Sequence, residues 1–353
     1  MRQTYNVLTR DPFCSSNPSV NNIVKITVAV LVPHIAMLFI TRSYHSLILI
    51  VCSIAAAQLA QIGSAFIKKT KDFFSWAVLL QAVLIGMFVP AQYPAAVVFF
   101  TVLCILFLQK MIFGTFAQFW ANTVIVAAAV LYLLNPALFP AFLLPHEYFN
   151  YTNAGSRLFS EGILQTVRFD AALTDFFNDV FHSWGISLPE GYISLLWDSG
   201  SPVPAFRFNV LTLVSSLVLV SYKGADAIVS YVFLFVYGMA VRLFSLYPYG
   251  GVLGGGDVLL AFCTGGTLFT AFFILGWFGT TPLTAAGKCV YGVTGGLLMF
   301  FICGSGTSSA GVLFTVIILN ILSPAMQYIE DVLYGIKLNK ILIREGIKEA
   351  DNE

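Results

Sequence analysis

An all-α bundle of membrane-crossing helices, about ten of them in two inverted halves of five, is the fold this sequence predicts. Three observations predict it. The chain has 353 residues, 58% of them apolar and only 10% charged, whereas a soluble domain carries roughly 25% charged residues. Apolar runs of nearly twenty residues recur along it, and a helix rising about 1.5 Å per residue needs about twenty to cross a bilayer. The basic residues fall mostly on one side of those runs, as they do when that side is cytoplasmic.

The runs that qualify are approximately 23–41, 46–66, 74–90, 94–110, 121–140, 206–222, 227–246, 257–278, 287–303 and 308–326. With both termini inside, Lys25, Lys68, Lys69, Lys71, Lys110, Lys223, Lys288, Lys337, Lys340, Lys348, Arg2, Arg10 and Arg344 lie on the cytoplasmic side. That is 13 of the 18 basic residues; Arg42, Arg157, Arg168, Arg207 and Arg242 are left outside. The first run follows a polar tail with no small-residue cleavage site, so it reads as a retained helix and not a signal peptide.

The organisation follows from the count. Residues 1–140 form the first half, 141–205 an extracytoplasmic segment, 206–330 the second half and 331–353 a cytoplasmic tail. Five spans per half make the second half inverted relative to the first, the arrangement of folds whose sites lie where broken helices meet near the midplane. The 141–205 segment carries seven acids against two arginines, with Trp184, Trp197 and many Phe and Tyr. That is too long and too aromatic for a slack linker, and predicts a folded cover.

Net charge of +1 gives no argument for nucleic acid. The six cysteines are scattered with no C-x-x-C pair, so metal ligation is not indicated. Ionisable groups inside a membrane are costly and invite a functional reading, and this chain has few. His34, beside Pro33, reads as a packed histidine. Lys110 and Lys288 sit at span ends, where they snorkel to the interface. Asp257 opens the eighth span after three glycines, which suits either a helix cap or a place on an ion pathway. The small residues Cys263-Thr264-Gly265-Gly266-Thr267 let a neighbouring helix or a flat ring approach the backbone closely. No buried chain of carboxylates spans the bilayer, which speaks against an autonomous proton pump. Residue chemistry alone stops at a membrane protein with a bound partner or ligand.

Several stretches resemble one family, the D subunit of the Rnf complex, related to the B subunit of the sodium-translocating NADH:quinone reductase. They are Ser16-Asn17-Pro18-Ser19, Val32-Pro33, Lys110-Met111-Ile112-Phe113-Gly114, Thr264 to Ile274, Thr281-Pro282, Gly287-Lys288, Tyr291-Gly292 and Asn320-Ile321-Leu322-Ser323-Pro324. The resemblance implies a flavin-bearing subunit of a redox-driven ion pump in the cell inner membrane. Such a subunit passes electrons between ferredoxin and NAD with coupled sodium or proton transport, alongside other membrane and peripheral subunits. The chain length favours the Rnf type over the quinone-reductase type.

The resemblance also implies flavin mononucleotide (FMN) esterified to a threonine of the outer segment, and possible riboflavin elsewhere. The matching place reads Glu161-Gly162-Ile163-Leu164-Gln165-Thr166-Val167. The acceptor position falls on Val167, which has no hydroxyl, so attachment at Thr166 requires the loop to shift by one. The family's Asn-Pro-x-Asn-Pro after the fourth span survives only as Gln118 and Asn122. Lys110, Gln118, Asn122, Gly265, Gly266 and Thr267 are the further residues this reading assigns to a cofactor. Two alternatives stay open: an inverted-repeat channel or transporter for a small solute, and a non-redox scaffold subunit of the same complex.

Overall fold

The structure is a computed structural model, and it describes residues 18–114, 118, 120–139, 154–164, 166–185, 187–222, 226–245, 253–304, 308 and 310–344. Among these the architecture is helical. The first half contains α1 (Val20–Ile40), α2 (Tyr44–Lys68), α3 (Trp76–Phe88), α4 (Ala95–Ile112) and α5 (Thr123–Leu134). The connecting segment forms α6 (Ala154–Ser160), α7 (Asp170–Phe181) and α8 (Tyr192–Trp197). The second half contains α9 (Asn209–Ser221), α10 (Ala227–Phe244), α11 (Val258–Thr264), α12 (Thr267–Phe273), α13 (Ala285–Cys303) and α14 (Gly311–Arg344).

The helix starts follow local chemistry. Ser19, Asn122, Asp257 and Thr284 are N-caps whose side chains accept from the backbone N–H of Asn22, Val124, Leu260 and Gly287, satisfying donors the first turn leaves without partners. Six helices (α1, α2, α4, α10, α13 and α14) are long and apolar enough to cross a membrane. The remaining apolar helices are shorter: α3, α5 and α9 have 12 or 13 residues, about 18–20 Å at 1.5 Å per residue. The continuous eighth span expected over 257–278 is instead two seven-residue helices, α11 and α12, broken at Gly265–Gly266. The last span does not end near 326; α14 runs 34 residues to Arg344, about 51 Å against a hydrocarbon core of about 30 Å.

Packing explains the short elements. Every residue from Leu80 to Phe88 in α3 and from Thr267 to Phe273 in α12 is buried. A helix apolar all round is one enclosed by protein, and backbone that protein covers on all sides is free to stop at membrane depth. α1, α2 and α5 pack on α3, and α9, α10 and α11 pack on α12. In the first half α2 packs most extensively on α4 and then α3; in the second, α10 packs most on α13. Ser53 of α2 donates to the Ala82 carbonyl of α3 at 2.8 Å, and Ser230 of α10 donates to the Ala271 carbonyl of α12 at 2.6 Å. The halves meet where α1 touches α9 and α5 touches α14.

Close approach in the second half depends on glycine. Gly292 and Gly296, one turn apart on α13, lie against Val229, Val232, Phe233 and Val236 of α10. This is the small-xxx-small spacing that brings membrane helices together.

Candidate functional site

Three places collect the polar groups that an apolar bundle would otherwise avoid. The first is a cavity of about 350 Å³ between α2, α3 and α4, lined by Gln61, Asp72, Gln81, Gln109, Lys110 and Gly114 among others. Gln61 and Gln81 are 1% exposed and Gln109 is 7% exposed. Lys110 Nζ donates to Gln61 Oε1, and Gln61 Nε2 donates to the Asp72 carbonyl. Gln81 Nε2 donates to Gln109 Oε1 at 3.4 Å. Lys68 Nζ donates to the Lys110 carbonyl at 2.5 Å, which ties the C-terminal ends of α2 and α4 together. Polar side chains held inside a membrane bundle point to function or to interhelical ties. Of these residues the sequence reading singled out only Lys110. Glutamines inside three apolar runs were the available signal; a survey confined to ionisable side chains passes over them.

The second place is the break between α11 and α12. Gly265 closes α11, and Gly266 has φ of 69°, a conformation that suits glycine. The face Gly266 leaves open is filled by the ring of Phe206. Phe206 stands edge-on to Phe88 at 5.9 Å, and Phe88 edge-on to Phe269 at 5.7 Å, so aromatic edges tie α3 to α12. Thr267 is fully buried and its hydroxyl donates to the Ala261 carbonyl at 3.3 Å. The predicted small-residue patch therefore exists, and the flat ring against it belongs to the protein. At the other end of α12, buried Asn122 caps α5 and donates to the Ile274 carbonyl at 3.4 Å. His34 lies against the same helix, edge-on to Phe269 and Phe273 at 5.9 and 6.0 Å. Its Nε2 is 3.2 Å from the Thr212 hydroxyl, which itself donates to the Phe208 carbonyl at 3.1 Å. His34 is thus a packed core histidine joining α1 to α9.

The third place is the connecting segment. Asp257 caps α11 through Leu260 N–H at 3.0 Å and accepts from Gly155 N–H at 3.0 Å and from the Tyr192 hydroxyl. One carboxylate thereby fastens α6 and α8 to the second half, and the cap reading of Asp257 is realised in the geometry. Thr166 is exposed. Its neighbour Val167 donates its N–H to the Ser194 hydroxyl at 2.9 Å, and that hydroxyl donates to Asp170. Thr166 and Asp257 therefore share α8 as a common support.

The predicted site residues do not form one pocket. Lys110 lines the cavity in the first half, with Gln118 beside Gly114 at its edge. Asn122 and Gly265–Thr267 sit at opposite ends of α12, while Asp257 and Thr166 belong to the connecting segment and its anchor. Of the residues the sequence reading names, Arg2, Arg10, Ser16, Asn17, Gln165, Lys223 and Lys348 lie outside the described residues.

The two ends of the bundle differ in charge chemistry. One end holds Lys68, Lys110 and Asp72, together with a 2.6 Å ion pair between Lys288 and Asp226. The other holds Asp198 and Arg207, paired at 2.6 and 2.8 Å, with Arg207 donating to Ser43 at 2.6 Å.

Comparison with known proteins gives this arrangement its relatives. The D subunit of the ion-translocating oxidoreductase complex of Actinobacillus succinogenes is 23% identical, the alignment covering 94% of this chain and 98% of that one. The D subunit of the Na(+)-translocating ferredoxin:NAD(+) oxidoreductase complex of Acetobacterium woodii is 21% identical over 93% and 95% of the two chains. The D subunit of the ion-translocating oxidoreductase complex of Shewanella frigidimarina is 23% identical over 91% and 95%. The relatives are membrane-complex subunits aligned nearly end to end, and with the six long apolar helices they make this a multi-pass membrane protein. The family model for NQR2, RnfD and RnfE matches residues 7–335, and the chain belongs to the NQR2, RnfD, RnfE family.

Proposed function

We propose that this chain is the membrane subunit of an Rnf-type, redox-driven ion pump in the cytoplasmic membrane. In that role it passes electrons through flavin between ferredoxin and NAD while sodium or protons move. The observation that carries the reading is the near end-to-end match to the D subunits of such complexes. The chain supports it by what it offers: a polar cavity, an internally broken helix and an anchored outer segment, without a nucleotide-binding fold of its own among the described residues. Redox work therefore falls to it as one subunit among membrane and peripheral partners.

The same reading takes the bundle as ten crossings in two inverted halves with both termini cytoplasmic. Supporting this, α1–α5 correspond in order to α9, α10, the α11–α12 pair, α13 and α14. Ser53 and Ser230 make the same serine-to-carbonyl bond in each half. The pairs α1·α9 and α5·α14 join like elements, as a two-fold relation requires. Lys68, Lys110 and Lys288 then share the cytoplasmic end.

FMN, which supplies one- and two-electron chemistry when bound, is assigned to Thr166. Its residue is exposed and carries the hydroxyl an ester needs, whereas Val167 has none and commits its N–H to Ser194. A ring stacked on Gly265–Gly266 would have to displace Phe206, so a non-covalent riboflavin between the halves requires that side chain to move. The absent hydroxyl at 167 favours one second reading, a scaffold subunit that keeps its place in the complex without carrying flavin. Flavin content of the gently purified protein, before and after denaturation and in Thr166→Val, separates the two. Flavin retained through denaturation and lost in the variant supports the first; a fully assembled complex in which this chain carries none supports the second.

A further inference from the structure

Helix α7 is built the wrong way round for a helix that lies in water. Its side toward the protein is polar. The Asp170 carboxylate accepts from Gly191 N–H at 2.8 Å, from Ser194 N–H at 2.7 Å and from the hydroxyls of Ser194 and Thr174. Two turns on, Asn178 exchanges bonds with the Leu188 backbone at 2.6 and 3.0 Å. Asp170, Thr174 and Asn178 are spaced four apart, so one edge of the helix is held entirely by hydrogen bonds.

Large apolar side chains on a different arc reach the surface: Leu173 is 38% exposed, Phe176 60% and Val180 50%. Spacings of three, four and seven place these on one stripe of α7, flanked by the N-cap Phe169, 36% exposed, and by Trp184, 72% exposed, in the short 3-10 turn that follows the helix. Asp175 and Asp179 are also exposed, and by helical position they fall on the side away from that stripe. The helix carries no lysine or arginine. A polar inner edge, an uncovered aromatic stripe and an acidic face opposite it describe a helix lying in a membrane interface with its acids toward water.

Its position agrees. Phe169 stands edge-on to Trp197 at 5.5 Å. The residue after Trp197 is Asp198, which pairs with Arg207, and Arg207 donates to Ser43 in the turn between α1 and α2. Two full-length apolar helices reverse at that turn, so it marks the boundary of the hydrocarbon layer. The aromatic stripe of α7 continues from that boundary, where Trp and Phe side chains form interfacial belts.

We propose that α7 is an interfacial anchor: its Leu173–Phe176–Val180 stripe, flanked by Phe169 and Trp184, inserts among the lipids of the outer leaflet. The outer segment is then moored at two levels, to the second half through Asp257 and to the bilayer through α7. The inference rests on the chain spanning a membrane and is independent of any redox role.

Replacing Phe176, and separately Asp175, with the photoreactive analogue benzoyl-phenylalanine tests it in the full chain in its native membrane. Both positions are exposed, and gel filtration of each labelled protein checks that it stays folded. After irradiation, mass spectrometry reads what is attached. Phospholipid adducts at 176 are expected to exceed those at 175 by on the order of tenfold. A cross-link from 176 to another protein, or lipid yields no higher than at 175, overturns the proposal.

Discussion

Asp257 is where a functional and a structural account of the same carboxylate part company. In the structure it accepts three hydrogen bonds, from Leu260 N–H, Gly155 N–H and the Tyr192 hydroxyl. An N-cap is worth about 1 kcal/mol, and a hydrogen bond to a charged acceptor about 1.5–3 kcal/mol. The three together come to roughly 4–7 kcal/mol. Asp257 is only half-buried, and solvent screening reduces that to about 2–4 kcal/mol for Asp257→Ala. Asp257→Asn keeps an acceptor for the cap and should cost about 1–2 kcal/mol. Because Gly155 and Tyr192 belong to the connecting segment, the loss should appear first as local release. Limited proteolysis within residues 154–200 should speed up in the order wild type, Asn, Ala before the bundle unfolds. Equal cleavage rates in all three would refute the reasoning and return Asp257 to the ion pathway as its remaining role.

Other substitutions test other joints. A Cβ at Gly296 would stand 2.8–2.9 Å from Val236 Cβ and the backbone of Phe233 and Tyr237, so Gly296→Ala should cost about 1–3 kcal/mol by overpacking. A thermal-melt loss is the readout. Gly335→Ala meets nothing within 4 Å and should be neutral, or stabilise α14 by up to about 1 kcal/mol; a loss as large as that of Gly296→Ala would undo the contrast. Lys110→Met removes the donor to Gln61 and should cost about 1–2 kcal/mol. Faster labelling of the cavity-lining Ala60→Cys by a membrane-impermeant thiol reagent in the Lys110→Met background checks that the cavity has become more accessible.

How much of this was legible in the sequence depends on what surrounds each element. Helices that face lipid, such as α1, α4 and α10, must be apolar over their full length, and their runs stand out in the chain. Helices enclosed by protein obey a weaker constraint. α12 is apolar apart from two buried threonines, so its hydropathy does not mark the break within 257–278; the signal was Gly265-Gly266, and only the φ of 69° at Gly266 shows that the chain turns there. The extension of α14 beyond 326 escaped for the opposite reason. Its final turns alternate apolar and charged residues, and hydropathy ends where the helix does not. Among site residues, Asp257 was readable as a cap because a carboxylate after three glycines and before an apolar run has that local meaning. The partners in the outer segment are about sixty and a hundred residues away and leave no local trace. The glutamine cavity combines one residue from each of three spans, a juxtaposition only the packed bundle supplies. The aromatic stripe of α7 was visible as composition, but its inverted amphipathicity depends on which edge the hydrogen bonds hold.

The most direct test of the central claim is the flavin bound to this chain in the complex purified gently from its native membrane, measured before and after denaturation. The account predicts flavin in the native sample, copurifying redox subunits, and flavin that stays with the chain through denaturation unless Thr166 is changed to Val. A folded, assembled protein without flavin in either sample would contradict the redox role.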